Sequence, residues 1–300
     1  MDFLISVTHI SAAYLMGVGF VVGVMGGFFG VGGSFLAGPA LFAAGMPMNF
    51  VVGTDLSHIV GKAIVGAKTH RALGNVDRKL AMIMVAGTIA GVETGAQLIE
   101  ALKRRSNVDF VVGIVFIAVL VSISAFMGWE SIKTMRTHNT AGMKEDVSAF
   151  GHVSKMIHRF QLRPMISLPD SGIERISLWA ILALAYVGGV VSGFLGGGAG
   201  YVRMPSMVFL LGVPTHVAVG TDLFEIIISA GYGTLTHALK GNVDIMVALV
   251  MHAGSAVGAQ IGAKMTQYFH GPRIRLAFVP LPLIGAALMV YSLMSGQHFK

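Results

Sequence analysis

The residues best suited to chemistry in this chain are ionisable groups set inside apolar sequence. Gly-Thr-Asp-Leu occurs at 53–56 and again at 220–223. Asp55 is followed at i+3 and i+7 by His58 and Lys62, which share its helical face. Asp222 is followed at i+3 by Glu225, and Ser229 stands where the first copy has Lys62. An ionisable group at the centre of a membrane helix costs roughly 2.5–3.5 kcal/mol or more, so it normally faces a cavity or a partner. Two readings of the repeated motif stay open. Thr54 and Thr221 fit helix N-caps, with Asp55 and Asp222 in the first turn at the positive dipole end, as in two capped helices at a membrane surface. Alternatively, these are broken-helix ends inside the membrane, where N–H groups bind an anion and the carboxylates bind a proton or Na⁺. Lys62 either receives the anionic end of a substrate, snorkels to the interface, or neutralises Asp55 or Glu225.

Arg203 has Ala37 as its counterpart in the first half. Its planar fork suits sulfonate, phosphate or carboxylate; the plainer role is contact with lipid phosphate. Tyr201 beside it either hydrogen-bonds a substrate or belongs to an aromatic belt. Glu93, with Gln260 at the matching position, sits among small residues that read as a helix-packing seam. It is a candidate for proton coupling. His252 reads as a buried hydrogen-bonding group. The histidines are scattered without metal-ligand spacing, no nucleophile–base pair stands out, and the glycine clusters lack the strand and the Gly-Lys-Ser/Thr of nucleotide loops. No metal or cofactor is expected.

These groups need elements to position them, and the composition says which. Of 300 residues, 54% are hydrophobic and 12% charged, against about 25% charged in a soluble domain. The apolar residues fall in runs at about 9–30, 34–45, 50–70, 79–100, 108–131, 176–197, 204–212, 217–239, 243–265 and 276–295. Eight of these are long enough to span a bilayer and two, at 34–45 and 204–212, are short. The first is read as a retained span, because no basic region precedes it. A basic stretch at 132–175 divides the chain into membrane repeats at 1–131 and 176–300. The net charge of +7 sits mainly beside apolar runs, where it sets orientation, and no aromatic–basic cluster suggests nucleic acid. There is no Cys, which excludes disulfides and thiol chemistry.

The two halves are copies. Gly30 and Pro39 match Gly196 and Pro205 at an offset of 166; after one inserted residue, Gly53–Leu56, His70 and Asn75–Asp77 match Gly220–Leu223, His237 and Asn242–Asp244 at 167. Internal repeats with short, Gly/Pro-interrupted segments at matching positions point to a transport site between the repeats. The fold expected is therefore an all-α polytopic membrane protein of two homologous repeats. Each is a Gly-tipped, re-entrant helical hairpin followed by three long transmembrane helices. The tips supply Gly32, Gly33 and Ser34, and Gly198 and Gly200, as candidate substrate-binding residues beside Thr54, His58, Lys62, Tyr201, Arg203 and Thr221. Asp55, Asp222, Glu225 and Glu93 are the candidates for ion coupling. Lys and Arg placement favours inverted over parallel repeats by one residue, with the linker cytoplasmic and both termini outside.

The paired pattern resembles the TauE/SafE family of membrane permeases: a Gly-rich tip and Pro (GVGGSFLAGP, GGGAGYVRMP), a short segment, a Val-Gly-Thr element and a closing Gly-Asn-Val-Asp, all twice. The resemblance covers most of the chain except the linker. It implies a transporter of small, often sulfur-containing anions such as sulfite, sulfoacetate or sulfonates, with the tips and Val-Gly-Thr helices lining the site. Asp55 and Asp222 depart from the small residues of many relatives, and two carboxylates there require Lys62, Arg203 or a co-transported cation in compensation. The expected function is a secondary transporter in the cytoplasmic membrane, working by alternating access with H⁺ or Na⁺ as co-substrate, and a homodimer is left open. An ion channel and a non-transporting assembly or sensory subunit are the rival readings; an enzyme is not expected.

Overall fold

The computed structural model describes residues 2–4, 9–104, 108–141 and 162–295. Each half begins with a two-stranded antiparallel hairpin, β1 (Asp2–Leu4) with β2 (His9–Ser11) and β3 (Met165–Leu168) with β4 (Ile173–Ser177). The first half continues through α1 (Ala12–Phe29), the short α2 (Ser34–Ala43), α3 (Met48–Ala72), α4 (Arg78–Lys103) and α5 (Val108–Ala141). The second repeats the order with α6 (Leu178–Leu195), α7 (Gly200–Ser206, prolonged by a wide helical turn at Met207–Leu211), α8 (Thr215–Leu239), α9 (Ile245–Met265), α10 (Gly271–Phe278) and α11 (Pro280–Met294).

Among the described residues, seven helical stretches are long and apolar enough to cross a membrane, with α10 and α11 counting as one. α8 matches α3 in length but its polar residues keep it out of that group. The outer surface carries Trp129, Val187, Leu239 and Leu249 more than half exposed. An exterior as apolar as the core, around helices that satisfy their own backbone groups, is what a hydrocarbon solvent requires. The chain is an all-α polytopic membrane protein, with its two small hairpins outside the helical bundle.

Glycine decides which helices touch. Gly19, Gly23 and Gly27 of α1 rest on the backbone of Met251, Ser255 and Ala259 in α9, while Gly254, Gly258 and Gly262 rest on Met16, Phe20 and Val24. The same seam recurs between α4 and α6: Gly87, Gly91 and Gly95 lie on Leu182, Tyr186 and Val190, and Gly189 and Gly193 lie on Thr88 and Val92. Residue numbers rise together on both sides, so each pair is parallel. Backbone-to-backbone approach of this kind is how helices associate where apolar burial gains little over lipid. Both seams join an element of one half to an element of the other, so neither half packs by itself.

α3 and α8 pair differently. Gly53 meets His237 and Asn242, the Leu56 side chain reaches Gly233, Leu223 reaches Gly66, and Gly220 meets His70 and Asn75. Numbers rise on one helix as they fall on the other, so these sequence copies run antiparallel.

Two expectations need revision. The helix α5 extends well into the 132–175 stretch, and residues 165–177 form a hairpin rather than a loose linker. That hairpin is tied to the first half, since Ser171 Oγ donates to Asp77 Oδ2 at 2.6 Å and Lys79 Nζ donates to the Ser167 carbonyl at 2.7 Å. Lys144, Lys155 and Arg159 lie outside the described residues. Arg275 is buried in α10 over the Phe209 ring at 5.5 Å.

Candidate functional site

The two Gly-rich tips meet. Gly30, Gly32 and Gly33 in one, and Gly196, Gly197 and Gly198 in the other, all have positive φ, which lets the chain turn sharply between the hairpin arms. Ala199, standing where the first tip has Gly33, also has φ of 47°, the one non-glycine residue with positive φ among the described residues. Gly32 faces the Gly197 carbonyl and the side chains of Ile59 and Ile226, which are sequence counterparts on α3 and α8. Gly30 abuts the backbone of Val219, and Gly196 that of Val52. Each tip therefore leans on the helix of the opposite half. Gly33 packs on the Val22 backbone, and Ser34 opens α2, its side chain lying outside the described residues.

Beside the second tip lies a dry ionic cluster. Arg203, Asp222 and Glu225 are each fully buried. Arg203 Nε donates to Asp222 Oδ1 at 2.8 Å, and its Nη2 lies 2.7 Å from Glu225 Oε2, off the hydrogen-bonding direction. Ser229 Oγ donates to the same Glu225 oxygen at 3.0 Å. Asp222 Oδ2 and Glu225 Oε1 have no partner, nor does Arg203 Nη1. Asp222 Oδ2 occupies the space where a Cβ on Gly200 would go, so glycine is required there for the carboxylate to reach the tip. The Arg203 stem fills the equivalent gap at Gly188. Tyr201 is fully buried, its ring tilted against Phe116 at 6.2 Å and its hydroxyl unpartnered, within electrostatic reach of Arg203 and Asp55.

A second line of groups runs along α3. Asp55 Oδ1 lies 3.0 Å from His58 Nδ1, and His58 Nε2 lies 3.4 Å from Lys62 Nζ. All three are buried. An ammonium can only donate, so Nε2 accepts from Lys62 and the imidazole proton sits on Nδ1, donating to Asp55. With Lys62 as the ammonium, that arrangement leaves His58 neutral. The His252 ring sits against Gly61, within electrostatic reach of His58 and Lys62. Counted with ionised carboxylates, the buried groups of these two clusters are three anions (Asp55, Asp222 and Glu225) and two cations (Lys62 and Arg203). A dry interior tolerates an unbalanced charge poorly, at several kcal/mol per ion.

The motif threonines do something other than capping. α3 and α8 start at Met48 and Thr215, so Asp55 and Asp222 are each the eighth residue of their helix and lie beyond the reach of its dipole end. The N-cap positions are Pro47 and Pro214. Thr54 Oγ1 instead accepts from the backbone N–H of Asp244 at 2.9 Å, and Thr221 Oγ1 accepts from that of Asp77 at 2.9 Å. The capping residues are the closing aspartates of Gly-Asn-Val-Asp: Asp77 Oδ1 accepts from Leu80 N, and Asp244 Oδ1 from Met246 N and Val247 N. Aspartate before an apolar helix is a recognised cap signal in sequence.

Most sequence candidates converge, and Glu93 is the exception. It is partly exposed on α4, hydrogen-bonded by Gln97, Tyr232 and Thr236 and 3.7 Å from Lys240. Its partners on α8 begin seven residues past Glu225, roughly 10 Å along the helix. The surface role expected as the plainer alternative for Arg203 is overturned by its complete burial. His252 and Ser229 join the site beyond the sequence candidates, and only tertiary contact reveals them. Among the described residues, no group of His, Asp and Glu could hold a metal ion.

With this geometry in hand, the relatives can be placed. The sequence profile of the family described as "Sulfite exporter TauE/SafE" matches residues 15–289. The chain is 24% identical over 294 residues to "Probable membrane transporter protein YunE" of Bacillus subtilis, covering 95% of this chain and 100% of that one. It is 26% identical to "Probable membrane transporter protein YjnA" of the same organism, over 92% and 95% of the two chains. An archaeal relative, "Probable membrane transporter protein MJ0441" of Methanocaldococcus jannaschii, is 23% identical over 86% and 88%. No solved structure matches.

Proposed function

The chain belongs to the sulfite exporter TauE/SafE family of membrane transporters, and from that premise we propose that it carries a small, sulfur-containing oxyanion across the cytoplasmic membrane. The observation that carries this reading is Arg203. A fully buried guanidinium, beside a broken-helix tip at the junction of the two halves, is held by two carboxylates that an oxyanion substrate can replace. Sulfite, sulfonates and sulfoacetate present the planar pairs of oxygens that such a fork binds. Tyr201, within electrostatic reach of Arg203 and Asp55, and Lys62, on the Asp55 face of α3, are the further groups assigned to the anion's surroundings.

Transport is of the alternating-access kind, between inverted repeats. The antiparallel pairing of α3 with its copy α8 supports inversion, because a two-fold relating antiparallel helices lies across them. Coupling to H⁺ or Na⁺ runs through Asp55, Asp222 and Glu225. Its support is the surplus of one carboxylate over cations among the buried groups of the two clusters, which one proton or Na⁺ balances.

The test is counterflow in proteoliposomes with sulfite, sulfoacetate and an aryl sulfonate, each at two pH values and with or without Na⁺. Saturable counterflow of at least one is expected; flux that follows voltage without saturating would replace the transporter with a channel. Lys62→Met keeps the stem and deletes the charge, and is expected to weaken the anion's apparent affinity about tenfold or more, the weight of one lost charge-assisted contact. Unchanged affinity would remove Lys62 from the site. Deleting 142–161, which spares the 165–177 hairpin, is expected to leave uptake intact; loss of uptake with retained folding favours a regulatory or assembly role for that segment.

A further inference from the structure

The two ends of the α3–α8 pair that carries the site are covered by matching contacts. At one end the Gly-Asn-Val-Asp loop of the second half (Gly241–Asp244) lies on the start of α3: Asp244 N–H donates to Thr54 Oγ1 and the Asn242 carbonyl rests in the gap left by Gly53. At the other, the loop of the first half (Gly74–Asp77) lies on the start of α8: Asp77 N–H donates to Thr221 Oγ1 and the Asn75 carbonyl rests in the gap left by Gly220. Since α3 and α8 are antiparallel, the contacts sit at opposite ends of the helix pair. In each, an exposed loop glycine (Gly241 or Gly74) is outside, and the neighbouring residue inside is an aspartate of the ionic site, Asp55 or Asp222.

Thr69 and Thr234 of the same two helices donate to the carbonyl four residues back, and Thr236 donates to the Glu93 side chain on α4. Thr54 and Thr221 differ in accepting, and in accepting from the backbone N–H of a loop of the opposite half. The N–H they hold belongs to an N-cap residue, a donor with no partner inside its own helix. Breaking the contact leaves that buried donor bare unless water enters. A loop that lifts therefore hydrates the path from its own side to the neighbouring aspartate, and the contact at the other end, on a different helix, need not change.

We propose that Thr54 and Thr221 are the paired gates of the transport path, each latching the opposite half's loop over one end of the ion cluster. The proposal rests on the transporter reading and adds which contacts must open and in what alternation. The two latches are reinforced unequally. Ser171 of the β3–β4 hairpin grips Asp77, whereas Lys103 and Asn49 grip Asn242, through contacts of 2.8 and 3.0 Å to its Oδ1.

The chain's lack of cysteine makes the test direct. Val51 and Ala218 are sequence counterparts, both fully buried, one turn to the loop side of each threonine. In oriented vesicles, Val51→Cys and Ala218→Cys report access to a membrane-impermeant thiol reagent from each side. Thr54→Val is expected to raise labelling of Val51→Cys about fivefold, the weight of one hydrogen bond, and to lower that of Ala218→Cys. Thr221→Val is expected to do the reverse, and Thr54→Ser and Thr221→Ser to restore the parent pattern. Labelling that rises at both positions in either variant, or at neither, in protein that still catalyses counterflow overturns the latch. Absence of counterflow in the unaltered protein overturns the transporter reading instead, and reciprocal labelling would still support the paired gates.

Discussion

Arg203→Met is expected to unfold or strand the protein and to abolish anion counterflow. The substitution keeps an apolar stem in the Gly188 gap but leaves Asp222 and Glu225 facing one another, fully buried, with only Ser229 donating to either. Removing one partner from a buried ion cluster costs about 3–5 kcal/mol, a large share of the stability of a typical domain. The triple variant Arg203→Met, Asp222→Asn, Glu225→Gln separates the two losses. Neutral amides remove the uncompensated charge, so detergent-solubilised protein is expected to regain most of its thermal stability while anion counterflow stays absent. If the triple variant transports with parental affinity, Arg203 is a structural ion and the substrate binds elsewhere. Arg203→Lys is the intermediate case: one ammonium cannot span both carboxylates as a fork does, so weaker affinity with a retained fold is expected.

The second large effect is steric. A Cβ at Gly193 would overlap the Val92 carbonyl, and one at Gly91 would overlap that of Tyr186. Both obstacles are backbone, so no side chain can swing away, and α4 and α6 would have to separate along the seam. Overpacking costs of about 1–3 kcal/mol apply where neighbours can adjust; here Gly193→Ala and Gly91→Ala are expected to prevent accumulation of folded protein. Gly17→Ala and Gly231→Ala are the controls, because nothing lies within 4 Å of either position. Those two are expected to be neutral or stabilising by up to about 1 kcal/mol, from helix propensity. The comparison is read as monodisperse yield and thermal midpoint; equal yields for all four would mean the seams open freely.

Spans, duplication and tips are legible in the sequence because each leaves a local signature. An apolar run of about 20 residues admits few structures, and identities such as Gly53–Leu56 with Gly220–Leu223 recur at one offset. The ionic site was legible as a set of residues but not as a set of pairs. That Arg203 joins Asp222 and Glu225 depends on how α7 packs on α8, whereas the line Asp55, His58 and Lys62 follows from their spacing within α3. The N-cap reading of Thr54 and Thr221 failed because each helix starts about two turns earlier, after Pro47 and Pro214, which turns the motif into helix interior. The true caps, Asp77 and Asp244, carried a readable signal. What no local pattern contains is the exchange across halves, in which each threonine serves the other's loop. The extension of α5 to Ala141 and the hairpin at 165–177 were hidden for a different reason: their polar composition is that of a loop.

Because α3 and α8 are near-copies lying head to tail, the core has little top or bottom of its own. Gly53, Thr54 and the loop at Gly241–Asp244 at one end have Gly220, Thr221 and the loop at Gly74–Asp77 as their matches at the other. Polarity enters through the residues that are not duplicated: Arg203 opposite Ala37, Glu225 opposite His58, Ser229 opposite Lys62. The difference between the two ends of this helix pair thus lies in side chains that the duplication did not keep alike.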